Sequence, residues 1–253
     1  MKKAFLLISL HFVCIALQAQ ILNIEKSRLD NDTTGWLGSF EVQIDLVKQE
    51  QHTLDLGSNL HALRLTPKNA YMVIADIEIV RSEKEDLISN GYLHMRMTMN
   101  FKRKLSEELF GQIQYNDVLG MQHRYLGGAG ARLTLLDRKK IAMAFSAGVM
   151  YEVENWKSEE EISEINNTLW KSTSYLSLRW KVSENVDFNM INYYQARFTD
   201  FFAPRVSSDI NLRFKINKRF SFGSKFSVIY DAAPVVPISN LIYSLKNGLS
   251  YNF

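Results

Sequence analysis

The chain is poor in the features that staple, anchor or divide small proteins. Of its 253 residues one is cysteine, Cys14. It lies in an amino-terminal apolar stretch, behind Phe12 and Val13 instead of the small residues that lipid attachment needs. No disulfide, Cys-based metal site or acyl anchor is therefore expected. Prolines number only 4, and no Pro/Gly/Ser-rich stretch or low-complexity segment breaks the chain into parts. One domain is expected. No run of roughly 20 apolar residues is present, which argues against helical membrane spans. Neither sign of charge dominates. The net charge is +3, and Lys2 and Lys3 supply two of it. There is no basic run with interleaved aromatics, so nucleic acid is not an expected partner.

What is present begins with an export signal. Lys2 and Lys3 precede an apolar segment from Ala4 to Leu17, and Leu17-Gln18-Ala19 is a cleavage site with small Ala19 just before the cut. Residues 1–19 are read as a signal peptide that is removed, and 20–253 as the mature domain.

The dominant period of that domain is two. Trp36, Gly38, Phe40, Val42, Ile44 and Leu46 alternate with polar residues. Leu93, Met95, Met97, Met99 and Phe101 do the same, as do Ile141, Met143, Phe145, Ala147, Val149, Tyr151 and Val153. About twelve such segments follow one another, several of them ten or more residues long, as a tilted strand crossing a bilayer requires. The pattern predicts an all-β, antiparallel, up-and-down transmembrane β-barrel of about twelve strands. Short polar connections (Thr66 to Asn69, Lys104 to Glu107, Asp137 to Lys140, Ser183 to Asn185, Asn217 to Arg219) alternate with longer ones (Ser82 to Asn90, Asp117 to His123, Asn155 to Asn167, Asp231 to Ser239). That alternation matches short periplasmic turns and long external loops. Aromatics collect at the two ends of the apolar stripes. Trp36, Phe101, Trp180, Phe214 and Phe220 fall at one end, and Tyr125, Tyr151, Trp170, Phe198 and Tyr243 at the other. Two girdles are expected of a barrel in lipid.

The chain ends Asn247-Gly248-Leu249-Ser250-Tyr251-Asn252-Phe253. Gly248, Tyr251 and the terminal Phe253 resemble the signal read by the outer-membrane insertion machinery, which adds a last strand edge-on before closure. The segments Gly35-Trp36-Leu37-Gly38-Ser39, Asn90 to Arg96, Phe110 to Asn116 and Gln122 to Arg132 resemble the putative salt-induced outer membrane protein family, a domain of unknown function. After Lys48 many members turn through Gly-Asn, where this chain has Gln49-Glu50-Gln51. The resemblance implies an outer-membrane barrel and no activity.

By parity, charged residues line the inner face. Glu41, Asp45, Asp55, Asp76 and Glu78 come from early strands, and Arg96, Arg132, Arg179, Arg197, Arg213, Lys225 and Lys246 mainly from later ones. Closure is expected to set an acidic wall against a basic one. Two readings stay open: a field across a narrow pore, or a lumen closed by charge pairs. No catalysis is expected. A lipid-facing hydrolase needs Ser, His and an orienting group on the outer wall. His61 and His94 point inward, His52 and His123 lie in or near connections, and no His-x-Ser pairing lies on an outward stripe. Metal-ligand spacing is absent. The acidic run Glu159 to Glu161 with Glu164 is a calcium candidate only in the weak sense that any charged loop is. Gly127-Gly128-Ala129-Gly130 lacks the Lys-Ser/Thr of a phosphate loop and suits a bend or bulge. No cofactor is implied. The expected partners are the outer-membrane bilayer, the assembly machinery and, for a pore, a small polar or charged solute. The alternatives to a pore are a closed structural or envelope-stress barrel, or a surface receptor acting through its longer loops.

Overall fold

A computed structural model describes residues 34–48, 52–82, 86–157, 164–217 and 220–251. The expected signal peptide, the acidic run Glu159 to Glu161 and Phe253 lie outside these residues. Among the described residues twelve antiparallel strands form one sheet in strict chain order. They are β1 (Gly35–Lys48), β2 (His52–Leu65), β3 (Ala70–Ser82), β4 (Asp86–Met99), β5 (Leu105–Asn116) and β6 (Met121–Arg138), then β7 (Ile141–Lys157), β8 (Glu164–Lys181), β9 (Val186–Arg197), β10 (Asp200–Lys215), β11 (Phe220–Asp231) and β12 (Leu241–Tyr251). The helical content among the described residues is one 3-10 turn, Asp117–Leu119. The edge strands β1 and β12 are not paired with each other among the described residues. The closure expected from the sequence is thus not part of the observed ladder.

The sheet nevertheless curls far enough for distant strands to meet across its concave side. Tyr175 of β8 reaches Glu108 of β5, and Arg124 of β6 reaches Gln195 of β9. β6 and β7 approach closely where Gly130 pairs with Gly148. A Cβ on Gly130 would sit 2.9 Å from the Ala147 carbonyl oxygen. One on Gly148 would run into backbone of Ala129 and Gly130. The small residues that the sequence placed at a bend are there because two backbones approach too closely for side chains. β6 also carries register shifts at Met121/His123 and Thr134/Leu136, the bulges that let a strand bend.

The two faces are the reverse of a water-soluble sandwich. Outward stripes expose Trp36 (67 %), Phe40, Val149, Tyr243 and Phe202 (92 %). The concave face buries Arg96, Glu108, Arg124, Glu152, Glu154 and Arg205. Charged side chains within and large apolar ones outside invert the usual distribution of a soluble protein.

The strands run longer than the sequence indicated, so most of the expected long loops are short. Asn155, Trp156 and Lys157 still pair with Asn166, Ile165 and Glu164. The Asn155 side chain donates to Glu164 (3.0 Å) and to Asn166 (2.7 Å), which carries the ladder through polar residues that read as loop. β4 begins at Asp86, which shortens the expected connection Ser82 to Asn90 in the same way. The connection between β11 and β12, residues 232–240, remains long. At the other end β4 stops at Met99, two residues before the Phe101 to which the alternation runs. Asn100 adopts φ 52, the left-handed region that Asn tolerates better than most residues. Phe101 therefore lies in the turn and packs against an inner cluster of Leu63, Leu65, Ala70, Met72, Ile74 and Tyr92. It does not join the outer girdle.

Candidate functional site: a charged network on the concave face

Strand parity sends Arg96, Glu108, Arg124, Glu152, Lys171 and Arg205 inward from β4, β5, β6, β7, β8 and β10, and the curl brings them into layers. In the first layer Glu108 accepts from Tyr175 Oη (2.8 Å) and Ser146 Oγ (3.1 Å). Thr98 Oγ1 donates to its other oxygen at 3.4 Å. Arg96 pairs with Glu108 at 3.5 Å. Its guanidinium lies 5.4 Å from the Phe110 ring centre and 5.3 Å from that of Tyr175. Three strands thus converge on a carboxylate carried by a fourth.

The second layer is held by Glu152. Arg124 donates to it through Nε (2.7 Å) and through Nη2, and Lys171 binds its other oxygen. Arg124 also reaches Gln114 and Gln195, each at 3.4 Å. A third layer follows toward the end that carries the 232–240 connection. Arg205 bridges Glu154 (3.0 Å) and Asp231 (2.8 Å), and Glu154 lies 3.4 Å from Arg124 Nε. The layers are thereby joined in a chain. Side-chain exposure is 1 % at Arg124 and 0 % at Glu152. Toward the 232–240 end an apolar cap follows. Leu119 and Met121 pack with Trp156, Ile229 and Val236, and Val235, Ile238 and Ile242 pack against that cluster.

A space lies between the first two layers. It has a volume of about 30 Å³ and is lined by His94, Arg96, Glu108, Gln112, Arg124 and Tyr175 among others. That is room for about one water molecule. Gln112 Nε2 donates to Gln114 Oε1 (2.9 Å), which leaves Gln112 Oε1 as the acceptor facing His94 Nδ1 at 3.0 Å. His94 Nδ1 therefore carries the proton. His94 Nε2 is buried and has no hydrogen-bond partner among the described residues.

The residues singled out from the sequence fall as follows. Arg96 and Arg132 are buried on the concave face, and Arg132 donates to Thr134 Oγ1 at 3.1 Å. Asp76 accepts from Asn59 (2.7 Å) and Glu78 from Asn90 (3.3 Å). Arg213 pairs with Asp187 at 3.0 Å. Arg179 stands opposite Ala142 and Asn189, and Lys225 opposite Asn211 and Lys246. Arg197 is half-buried at the end of β9. Glu41, Asp45 and Asp55 occupy strand positions in β1 and β2, and Gly248 and Tyr251 pair with Gly223 and Phe220. Among the described residues of the network the two signs are interleaved. Glu108, Glu152 and Glu154 stand among the arginines and the lysine and neutralise them in place. The same parity that selected Arg96 and Arg132 selects these carboxylates, Arg124, Lys171 and Arg205. Sorting the inner charges by sign and strand order is what hid them.

Residues 40–253 match the family model described as a protein of unknown function, DUF481. The chain belongs to the DUF481 family. The family description gives no activity, and the salt-induced character stays an implication of the resemblance. Two solved structures are similar to this DUF481 chain. One is described as a NanC porin structure in a rhombohedral crystal form, with TM-score 0.46, 9 % identity, and coverage of 79 % of this chain and 94 % of that one. The other is described as the CymD monoaromatic hydrocarbon channel, with TM-score 0.40, 11 % identity, and coverage of 86 % and 79 %. Comparison with curated proteins finds no match.

Proposed function

We propose that this DUF481 protein is an outer-membrane β-barrel with a sealed lumen, a non-enzymatic structural barrel and not an open pore. The observation that carries the sealed state is the layered network around Glu108, Glu152 and Arg205, whose ion-paired side chains are almost fully buried on the concave face. The apolar exterior and charged interior support the membrane. The signal-like residues 1–19 support export, and Gly248, Tyr251 and Phe253 support recognition by the assembly machinery. In this reading β1 and β12 pair to remove the two open edges, since an unpaired edge in hydrocarbon leaves backbone groups unsatisfied. The short-turn end faces the periplasm.

Two measurements test it. The folded protein, verified by heat-modifiable gel mobility, is expected to show no stepwise conductance in a planar bilayer. Salt-dependent steps from the unmodified protein would overturn the sealed lumen. Val149 lies midway along β7, outward and exposed, between Ala129 and Ser172. Val149→Arg is expected to cost about 2–4 kcal/mol of folding stability in vesicles, the range for arginine at the lipid midplane. A cost near zero would mean that this face meets water.

A second reading, a narrow pore for small polar or charged solutes, rests on one observation. Among the described residues the lumen is blocked by side chains and by the 232–240 connection, with no strand or helix crossing it. Side chains can rearrange without unfolding the wall. The receptor reading loses ground because the connections expected to serve it are largely strand.

A further inference from the structure

We infer that the short-turn end of the sheet carries a cationic collar that binds the headgroups of anionic phospholipids. This rests on the membrane reading above.

The turns at that end are laced together by backbone hydrogen bonds. Phe101 N donates to Lys68 O (3.1 Å), Thr134 N to Lys104 O (2.7 Å), Lys181 N to Lys140 O (2.7 Å) and Lys215 N to Asn185 O (2.7 Å). Charges on successive turns therefore form one band around the rim. The turn between β4 and β5 contributes Lys102, Arg103 and Lys104, all exposed. The next turn at this end contributes exposed Arg138, Lys139 and Lys140, and Lys68 and Lys181 are exposed on the turns to either side. Against these stand exposed Glu107, Asp137 and Glu184. At the opposite end the exposed charges of the described residues are mixed, with Asp117, Glu164 and Asp200 against Arg81 and Lys157.

The collar directly adjoins outward apolar residues. Lys181 follows Trp180 (44 % exposed), Lys104 precedes Leu105 (58 %), and Arg64 lies over the Trp36 ring at 5.2 Å. An apolar belt, then aromatics, then cations is the sequence of environments across a lipid monolayer, from chains through the interface to phosphate. Each cation near an anionic surface is worth about 1 kcal/mol, which corresponds to about a five-fold preference for an anionic over a zwitterionic lipid. A soluble anionic polymer would be recognised by the charges alone and gives no reason for the adjoining apolar belt.

The test uses the folded protein in phosphatidylcholine vesicles containing spin-labelled phosphatidylglycerol or spin-labelled phosphatidylcholine. The motionally restricted fraction of each label gives their relative association with the protein. A preference of about five-fold for phosphatidylglycerol at low salt is expected, shrinking as salt screens it. Replacing Lys102, Arg103, Lys104, Lys139 and Lys140 by Gln is expected to bring it close to one. The charge-keeping variant with Lys102, Lys104, Lys139 and Lys140 changed to Arg is expected to retain it. Equal association of both labels with the unmodified protein, or an unchanged preference in the Gln variant, overturns the inference. Equal association together with capture of purified cell-wall polymer assigns the collar to that polymer instead. Failure of the unmodified protein to fold in any vesicle, read by gel mobility, overturns the membrane reading first and the collar with it.

Discussion

Glu152→Ala is expected to lower unfolding stability by about 3–5 kcal/mol, the range for removing one partner of a buried ion pair. The substitution strands two cations. Arg124 keeps weak contacts with Gln114, Gln195 and Glu154 at 3.4 Å, and Lys171 loses the carboxylate it touches. A surface ion pair would cost far less, about 0–1 kcal/mol. The size of the loss therefore measures how dry the lumen is. A companion variant separates stranded charge from lost attraction. Replacing Arg124 by Met, Glu152 by Leu and Lys171 by Met together removes the layer's ions and leaves Glu154 its pair with Arg205. Apolar replacement of a buried ionic group is often neutral or stabilising, so this protein is expected to stay close to the unmodified one. Urea unfolding in vesicles, followed by tryptophan fluorescence and gel mobility, reports both. A Glu152→Ala protein as stable as the original would mean that water reaches the network, and the sealed lumen would fall with it.

The contrast shows what the sequence discloses and what it withholds. Period-two alternation assigns each residue to a face, because in a strand successive side chains point to opposite sides. It needs no knowledge of neighbours. Once Tyr151 and Val153 are placed outward, Glu152 and Glu154 must be inward, and the structure places them there. Alternation does not say which inward residues meet. The contact of Arg124 with Gln195 spans 71 positions and exists because the curl brings β6 toward β9. Curl depends on stagger and strand tilt, which no single strand encodes. Strand ends were misjudged where polar residues continue a ladder. Asn155 pairs with Asn166 through side chains as well as backbone, and its composition reads as loop. Phe101 leaves the outward stripe because Asn100 turns left-handed and ends the alternation at Met99.

Trp156→Ala is expected to destabilise the fold by about 3–5 kcal/mol, the range for truncating a large buried aromatic, while leaving the bilayer silent. Trp156 is 2 % exposed and packs with Leu119 and Met121 on one side of the mouth and with Ile229 and Val236 on the other. Its removal leaves a cavity under the 232–240 connection. That connection is also held by backbone bonds from Asp231 N to Asn240 O (2.8 Å) and from Ala232 N to Pro204 O (3.0 Å). Its base is fixed by Arg205 through Asp231. Limited proteolysis is therefore expected to cut within residues 232–240 faster in the variant, with the strands intact. The ion-pair layers lie below the cap and do not depend on Trp156. Two barriers in series block a path until both are gone, so loss of the cap alone should not conduct. Conductance from Trp156→Ala would place the whole seal in the apolar cap. The network around Glu152 would then be the lining of a pore whose only gate is the connection between β11 and β12.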